Sequence, residues 1–146
     1  MQTVRQILKG KGSEVYSVPP SSTVQKALEL MADKEIGAVL VMEADKIKGI
    51  FSERDYARRG ILMGCSADSP VEKLMTCALV YIGADQTLED CMAMMTDKHI
   101  RHLPVVEQGK LMGIISIGDV VKAMISDQER KIKNMEDYIE GRGYTR

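Results

Sequence analysis

Two short segments of the chain carry residue types that can bind a phosphorylated ligand. Gly49–Asp55 reads GIFSERD and Gly113–Asp119 reads GIISIGD, so each segment places a serine three residues before an aspartate. Each is predicted to run from a strand into a helix, whose N-terminus presents unpaired amides and a partial positive charge to a phosphate. The serine hydroxyl can bond a phosphate oxygen, and the carboxylate can accept hydrogen bonds from two vicinal hydroxyls of a ribose. With Ile50 and Ile114 packing on a flat base, each segment predicts a nucleoside-phosphate site.

The same Ser-x-x-Asp spacing also has a purely structural interpretation. In a capping box, the serine side chain accepts a hydrogen bond from a free backbone amide, and the acidic side chain reaches back to the amide of the cap residue. For a single occurrence, this interpretation is the more common one. However, the pair Ser52 and Asp55 recurs as Ser116 and Asp119 inside a matching strand-to-helix pattern. This duplication favours a ligand site.

The duplication extends over most of the chain. A constant shift of 64 residues superposes Thr23 on Thr87 and Gly49–Asp55 on Gly113–Asp119 without a gap. One such unit is too small to bury its apolar face alone, so the partner repeat is expected to complete the core. The sequence therefore predicts two related half-structures, each carrying one Ser-x-x-Asp segment.

Each repeat is predicted to fold as strand, helix, strand, strand and helix. In the first repeat Val15–Val18 is the first strand, and Ser22 or Thr23 caps the helix that follows. The apolar residues of that helix share one face and are Val24, Ala27, Leu28 and Met31. The strand pair is predicted to turn at Ala44–Asp45, and a second helix starts near Ser52.

The second repeat has the same pattern of elements. Leu79–Ile82 is its predicted first strand, and the strand pair is predicted to turn at Gln108–Gly109. The apolar face of the intervening helix consists of Leu88, Cys91, Met92 and Met95. The last helix opens near Ser116. Because the elements correspond one to one, the second Ser-x-x-Asp segment is expected to occupy the same structural position as the first.

Two further helical segments precede the repeats. In the linker, Ser69 is predicted to cap a short helix, with Pro70 in its first turn and Glu72 closing a capping box. The N-terminal segment has a comparable apolar face, formed by Val4, Ile7 and Leu8. Both segments are short, so their apolar sides require burial against a larger element.

The C-terminal tail is predicted to be an amphipathic helix. It is charged from Asp127 onward, but its apolar residues keep helical spacing, and Gly141 and Gly143 are expected to end it. Those apolar residues are Ile132, Met135 and Ile139. We therefore divide the chain into three parts: 1–64, the first repeat with its N-terminal segment; 65–126, the linker helix and second repeat; and 127–146, the tail.

Composition excludes several classes of function. The 146 residues carry a net charge of −1, which argues against a nucleic-acid-binding surface and against attraction to an anionic membrane. No apolar run approaches the ~20 residues that span a bilayer, and no signal peptide is recognisable. The three cysteines have no CxxC spacing, which is typical of a reduced, cytoplasmic protein.

The repeated motifs resemble those of a tandem pair of CBS domains, often called a Bateman module. Both copies fit the Gly-hydrophobic-x-Ser/Thr-x-x-Asp pattern of that family, and Ile100–Val106 and Ser52–Tyr56 resemble its second strand and its helix start. The resemblance runs from about Val4 to about Ile125. It implies an α/β fold of two βαββα repeats packed as a pseudo-two-fold CBS pair, and a regulatory role in binding adenosyl compounds.

In the family, each ligand cleft combines the Ser/Asp helix start of one repeat with strands of the other. The first such set of residues is Ile114, Ser116, Asp119, Tyr16, Val18, Gly37 and Ala38. The second set is Ile50, Ser52, Asp55, Leu79, Val80, Tyr81, Arg101 and His102, with Arg54 as a further phosphate ligand. Because the second set holds more basic groups, we expect it to bind the more anionic phosphate chain.

The resemblance implies AMP as the first choice of ligand, followed by ATP, ADP and NAD(H), with no catalytic cofactor and no metal. It also implies a homodimer formed through helices and an unidentified protein partner regulated in trans. An enzyme is the first alternative, but His99 and His102 with Cys91 make too small a ligand set for a metal, and no nucleophile motif is present. The second alternative is a protein–protein interaction or oligomerisation module that binds no ligand.

Overall fold

The computed structural model describes residues 2–140, which form two compact units. The first-repeat unit comprises Glu14–Val80. The second-repeat unit comprises the described residues up to Ser13 together with those from Tyr81 onward. Each unit therefore contains one of the two Ser-x-x-Asp segments. The mixed α/β architecture with two related repeats agrees with the predicted fold class.

The first-repeat unit is built on a three-stranded sheet. Its strands are β1 (Ser17–Val18), β2 (Ala38–Glu43) and β3 (Lys46–Ser52), in the order β1-β2-β3. The short strand β1 runs parallel to β2, and β2 runs antiparallel to β3. The continuous apolar run from Ala38 to Met42 is typical of a buried strand, and its first four residues are buried while Met42 is half-buried.

Helix α2 (Val24–Lys34) packs in this unit through the predicted face, in which Val24, Ala27 and Met31 are buried. Thr23 is its N-cap and accepts a hydrogen bond from the backbone amide of Lys26, so the cap is the second of the two predicted residues. The helix ends where Glu35 adopts a left-handed conformation with φ of 55°. This ending directs the chain back into β2.

A short helix follows β3 directly. Helix α3 (Glu53–Asp55) begins as soon as the strand ends at Ser52 and continues as one π-helical turn over Tyr56–Gly60. Gly60 is buried, and a Cβ atom there would lie 2.9 Å from the Tyr56 ring. The predicted helix from Ser52 toward Gly60 is therefore present, with a wider final turn.

The second-repeat unit repeats this plan with a smaller sheet. Strands β4 (His102–Glu107) and β5 (Lys110–Ser116) are antiparallel, and α4 (Leu88–Lys98) buries Leu88, Cys91 and Met95. The predicted turn residues Gln108 and Gly109 both have positive φ. His99 ends α4 in the same left-handed conformation that Glu35 gives to α2.

The first strand of each repeat is shorter than predicted. Instead of Val15–Val18, only Ser17–Val18 pairs with β2. Instead of Leu79–Ile82, a single parallel bridge joins Ile82 to Val105. The Ile82 amide donates to Pro104 O and Ile82 O accepts from the Val106 amide, and between residues 2 and 140 these are the backbone hydrogen bonds that join the segment to the sheet.

The last helix is continuous with the tail. Helix α5 spans Ile117–Ile139, 23 residues, so the tail expected to begin at Asp127 is an extension of the helix that starts at the second motif. No glycine or proline interrupts the helix between Val120 and Ile139, which explains its continuity. The glycines predicted to end it, Gly141 and Gly143, lie outside the described residues.

The segments that precede the repeats dock in a swapped manner. Helix α1 (Val4–Lys11) belongs to the second-repeat unit, where the Val4 amide donates to Gln86 O at 2.8 Å. The linker belongs to the first-repeat unit, where the Val71 amide donates to Ser22 O at 2.7 Å. Ser22 and Gln86 correspond under the shift of 64 residues, so the two segments dock equivalently. The compact units thus divide the chain differently from the sequence boundary at residue 64.

The linker helix lacks its predicted cap. It is a single 3₁₀ turn over Val71–Lys73 that begins after Pro70, without a side-chain cap hydrogen bond. The hydroxyl of Ser69 instead accepts from the Ser66 amide at 3.1 Å, inside the preceding turn. The prediction of a capping box at Ser69 was therefore wrong, because the Ser69 hydroxyl is hydrogen-bonded within the turn that precedes the helix.

Candidate functional site

The first Ser-x-x-Asp segment lies where β3 becomes α3. Ser52 is still extended, with φ of −121° and ψ of 161°, and the next residue is helical. The Ser52 amide donates to Asp55 Oδ2 at 2.9 Å, and the Asp55 amide donates to Ser52 Oγ at 3.1 Å. These reciprocal bonds form a capping box, which is the structural interpretation considered for the sequence.

The second segment has the same local geometry at the junction of β5 and α5. The Ser116 amide donates to Asp119 Oδ2 at 2.8 Å, and the Asp119 amide donates to Ser116 Oγ at 3.1 Å. Both aspartates are partly buried, with side chains 18% exposed for Asp55 and 22% exposed for Asp119. Each motif therefore closes its own helix and still presents part of its carboxylate to solvent.

A capping box alone does not distinguish these segments from other helix starts. Thr87 and Asp90 form an equivalent box at the start of α4, and Thr3 and Gln6 form one at the start of α1. In the two motif segments, however, the aspartate also contacts a basic side chain from outside the box. The Ser-x-x-Asp aspartates are thus held by two kinds of interaction, hydrogen bonds and an ion pair.

Arg59 is the basic partner of Asp55. Its Nη2 atom lies 3.1 Å from Asp55 Oδ1, donates to Leu74 O at 2.5 Å and lies 3.2 Å from Thr76 Oγ1. The Thr76 hydroxyl also donates to Asp55 Oδ1 at 3.3 Å. Asp55 is thereby joined to the linker segment that docks in the same unit.

Lys11 is the basic partner of Asp119. Its Nζ atom donates to Asp119 Oδ2 at 2.6 Å and to Ile114 O at 2.7 Å. Burial on its own raises the pKa of the Asp119 carboxyl, but the hydrogen bonds from Lys11 and Ser116 outweigh it and hold that pKa below its ordinary value. Asp119 is therefore a stable anion at neutral pH.

The residue before β2 and the residue before β4 each contribute a backbone carbonyl to the start of a motif helix. Gly37 O accepts from the Glu53 amide at 3.1 Å, and Arg101 O accepts from the Ile117 amide at 2.8 Å. The next residues pair with the motif serines, because Ala38 is in register with Ser52 and His102 with Ser116. One of the first helical amides of each motif helix is consequently satisfied by the protein itself.

This register places the basic pair Arg101 and His102 beside Ser116. The family resemblance assigns Arg101 and His102 to the cleft of Ser52, and Gly37 and Ala38 to the cleft of Ser116. These assignments stay predictions. Within one unit, the structure brings together Gly37, Ala38, Ile50, Ser52, Arg54 and Asp55. Within the other, it brings together Arg101, His102, Ile114, Ser116 and Asp119.

The remaining predicted residues differ in exposure. Val18 is a buried part of the apolar core, whereas Leu79 and Val80 are half-buried and Tyr81 is exposed. Tyr16 is half-buried, and Lys34 Nζ lies 5.3 Å from the centre of its ring. Burial and a hydrogen bond with Glu14 raise the pKa of the Tyr16 hydroxyl, which therefore stays protonated at neutral pH.

An open groove of about 580 Å³ lies along the first turns of α5. Its lining combines two cations with apolar side chains and is formed by Arg101, Ile117, Gly118, Val121, Lys122 and Ile125. The groove begins at the two residues between Ser116 and Asp119, so it adjoins the second motif. Positive charge next to apolar surface suits an anionic ligand that also has a flat or apolar part.

Sequence reasoning missed four residues of this environment. Arg59 lies four residues after Asp55, so helical spacing could have indicated their ion pair. Lys122 occupies the same helix as the second motif. Lys11 and Thr76 lie far from their partners in the sequence, and no local pattern connects them with the aspartates.

Two classes of site are not found in the described part of the chain. No group of three or more His, Cys, Asp or Glu residues between residues 2 and 140 is arranged to hold a metal ion. No helix in that range has the length and apolar character required to cross a membrane.

The comparison with known proteins agrees with this geometry. The family model for the CBS domain matches residues 4–61 and 71–126, so it covers both motifs. The chain belongs to the CBS-domain family. Both the predicted resemblance and the two-repeat fold are thereby confirmed.

Several CBS-domain proteins are similar along most of their length. The CBS domain-containing protein YhcV of Bacillus subtilis is 34% identical over 116 residues, which is 80% of this chain and 83% of YhcV. A CBS-domain protein of known structure from Burkholderia ambifaria is 47% identical, with a TM-score of 0.84 over 87% of this chain and 96% of that one. The structure of CBSX2 in complex with AMP is 27% identical, with a TM-score of 0.69 over 88% of this chain and 99% of that one.

Proposed function

We infer that this CBS pair is a regulatory module that binds an adenine nucleotide and acts on a protein partner in trans, without catalysing a reaction. The observation that carries the proposal is the repeated motif: at both strand-to-helix junctions a partly exposed aspartate stands at a helix N-terminus with a cation beside it. Membership of the family supports it, and so does the relative CBSX2, whose structure contains AMP.

The chemistry of the motif fits a nucleoside phosphate. A ribose can donate hydroxyl protons to Asp55 or Asp119, because a carboxylate accepts about four hydrogen bonds and the capping box uses only part of that capacity. The phosphate requires cations and hydrogen-bond donors, which the chain offers in the guanidinium groups of Arg54 and Arg101 and the imidazole of His102. We keep AMP as the first candidate, with ATP, ADP and NAD(H) as alternatives.

Ligand binding at these aspartates competes with contacts inside the protein. Lys11 already donates to Asp119, and Arg59 and Thr76 already contact Asp55. A sugar hydroxyl at either carboxylate must share the acceptor or displace its partner. This competition supplies the difference in affinity between two arrangements that any regulatory switch requires.

The proposal is tested by thermal unfolding and calorimetric titration with AMP, ADP, ATP and NADH. A nucleotide present at 100 times its Kd should stabilise the fold by about 2.7 kcal/mol and raise Tm by about 5–10 °C. Asp55→Asn and Asp119→Asn should each weaken binding, because asparagine keeps an acceptor for the cap but loses the anion. The loss should be larger for Asp55→Asn if its site holds the more basic groups.

Asp90→Asn is the matched control for these variants. Asp90 closes a capping box of the same geometry, with Thr87 at the start of α4, but belongs to neither motif. It should therefore lose only the contribution of the cap, which is less stability than the motif variants lose with their ion pairs, and no affinity. If Asp90→Asn weakens binding as much as the motif variants do, the motif aspartates act only as helix caps. If no nucleotide raises the Tm of the parent protein, the result favours the alternative function, an interaction module that binds no ligand.

Two finer statements belong to the same proposal. We expect a homodimer formed through helices, as implied by the family resemblance, and a reduced, cytoplasmic environment for the three free thiols of Cys65, Cys77 and Cys91. Native mass spectrometry of the purified protein measures oligomeric state and bound nucleotide together. A monomeric mass would contradict the first statement.

A further inference from the structure

The second half of α5 carries an apolar stripe that nothing in the described part of the protein covers. Every residue from Gln128 to Glu136 is exposed. Val120 is buried, but the other large apolar side chains of the helix are exposed between 36% for Ile117 and 77% for Ile139. Isolated helices shorter than about 12–15 residues are marginal in water, so a helical extension of this length requires tertiary or quaternary packing.

The stripe follows the heptad spacing of a coiled coil. Ile125, Ile132 and Ile139 recur every seven residues and occupy the a positions. Val121, Gln128 and Met135 recur with the same period and occupy the d positions. Alternating steps of three and four residues keep both series on one seam of a supercoiled helix pair. In a parallel coil, β-branched isoleucine at a favours two strands where d is not β-branched, as at Gln128 and Met135 but not at Val121.

The charges beside the seam select a parallel partner of the same sequence. In a parallel coil, a g position faces the e position five residues later on the partner helix. Lys131 is at g and Glu136 is at e, so two copies of this helix in register form two attractive pairs, one on each side. In the antiparallel arrangement that aligns the same apolar layers, Lys131 faces Lys131 and Glu129 faces Glu129, which is repulsive.

We propose that α5 pairs with α5 of a second copy of this chain as a parallel coiled coil, with the seam running from Val121 to Ile139. The seam is about 28 Å long at 1.5 Å per residue. This inference does not depend on nucleotide binding at the motifs, because no seam residue belongs to either predicted ligand set. Val121 and Ile125 also line the groove beside the second motif, so the dimer would cover part of that groove.

Oligomeric state and its response to seam variants test the proposal. Sedimentation equilibrium of the full chain should give a dimer, and Ile132→Glu should raise the dimer Kd by at least about 10-fold, because it places a charge in an apolar layer. Asn134→Glu is the matched control, since it makes the same change in net charge two residues away on the exposed outer face. Ile132 is already 56% exposed in the single chain, so its replacement should leave the circular dichroism spectrum at low concentration unchanged apart from helix lost with the dimer.

A charge exchange and a cross-link test the direction of the helices. Lys131→Glu should weaken the dimer and Lys131→Glu with Glu136→Lys should restore it, since the exchange rebuilds both pairs in a parallel coil. After Cys65→Ser and Cys77→Ser, Ile132→Cys should form an intermolecular disulfide under mild oxidation, because identical a positions face each other, while Lys133→Cys should not. A monomeric parent, a dimer insensitive to Ile132→Glu, or an Ile132→Cys chain that does not cross-link would overturn the proposal.

Discussion

Replacing Lys11 by methionine tests how strongly the N-terminal helix is fastened to the second motif. The substitution keeps a long apolar side chain but removes the ammonium group that donates to Asp119 and to Ile114 O. The apolar docking of α1 through buried Val4 and Ile7 is untouched. Any change in stability therefore reports the two hydrogen bonds and the ion pair.

The expected magnitude follows from the burial of the pair. Exposed ion pairs contribute about 0.2–1 kcal/mol, and hydrogen bonds to charged groups contribute about 1.5–3 kcal/mol. The Lys11 and Asp119 side chains are 31% and 22% exposed, so the pair lies between these classes. We expect Lys11→Met to lower the free energy of unfolding by about 1–2 kcal/mol and Tm by about 2–8 °C at pH 7.

The pH dependence of that loss has a definite sign. The folded-state pKa of Asp119 is lowered from its value in the unfolded chain, about 3.9. Its contribution to stability is therefore complete above about pH 4 and is lost as the pH falls through the lower, folded-state pKa. The difference between parent and variant should be constant from pH 7 to about pH 5 and should shrink below pH 4.

Urea denaturation followed by circular dichroism at a series of pH values measures this difference. Lys9→Met is the control, because Lys9 is an exposed lysine on the same helix whose removal changes the net charge equally. A loss that is equal for both variants, or one that persists unchanged at pH 3, would refute the role assigned to the ion pair.

Two further predictions concern close packing and thiol reactivity. In urea denaturation, Gly49→Ala should lower the free energy of unfolding by about 2–3 kcal/mol and Gly113→Ala by about 1 kcal/mol. At Gly49 the new Cβ would lie 2.9 Å from the backbone oxygen of Thr76, whereas at Gly113 it would meet only the movable end of a leucine side chain. Equal losses for the two variants would contradict this prediction. Burial first, and then the charge of the neighbouring aspartate, raise the pKa of Cys91 to about 11. At pH 8 a thiol reagent should therefore modify exposed Cys77 rapidly and Cys91 only after denaturation. Rapid modification of both cysteines in the folded protein would contradict the buried position of Cys91.

The sequence predicted the elements whose signals are local. The apolar face of α2 follows helical spacing, and Gln108–Gly109 provides the residue types that a tight turn requires, so both predictions were confirmed. The register of 64 residues predicted that the two serines would stand at equivalent helix starts, as Ser52 and Ser116 do. In each case the relevant interactions lie within a few residues of one another.

The features that were missed depend on contacts between distant residues. The segment Leu79–Ile82 has an apolar, strand-like composition, but only Ile82 pairs with the sheet, because pairing depends on the position of β4 and not on composition. Likewise, Lys11 lies 108 residues from Asp119 along the chain. Such a contact becomes visible only once α1 is known to dock in the second-repeat unit.

The swapped docking gives the motif aspartates a common structural role. Asp119 is bonded to Lys11 at the end of α1, and Asp55 is bonded to Thr76 at the end of the linker segment. In each case the chain runs from that bonded segment directly into the other repeat. A ligand that takes either carboxylate therefore removes one side-chain contact of a connecting segment, while Thr76 keeps its two backbone hydrogen bonds to Ile50 and Lys11 keeps its bond to Ile114 O. If a nucleotide binds at one motif as proposed, we expect its effect to reach the other repeat through the backbone that joins them.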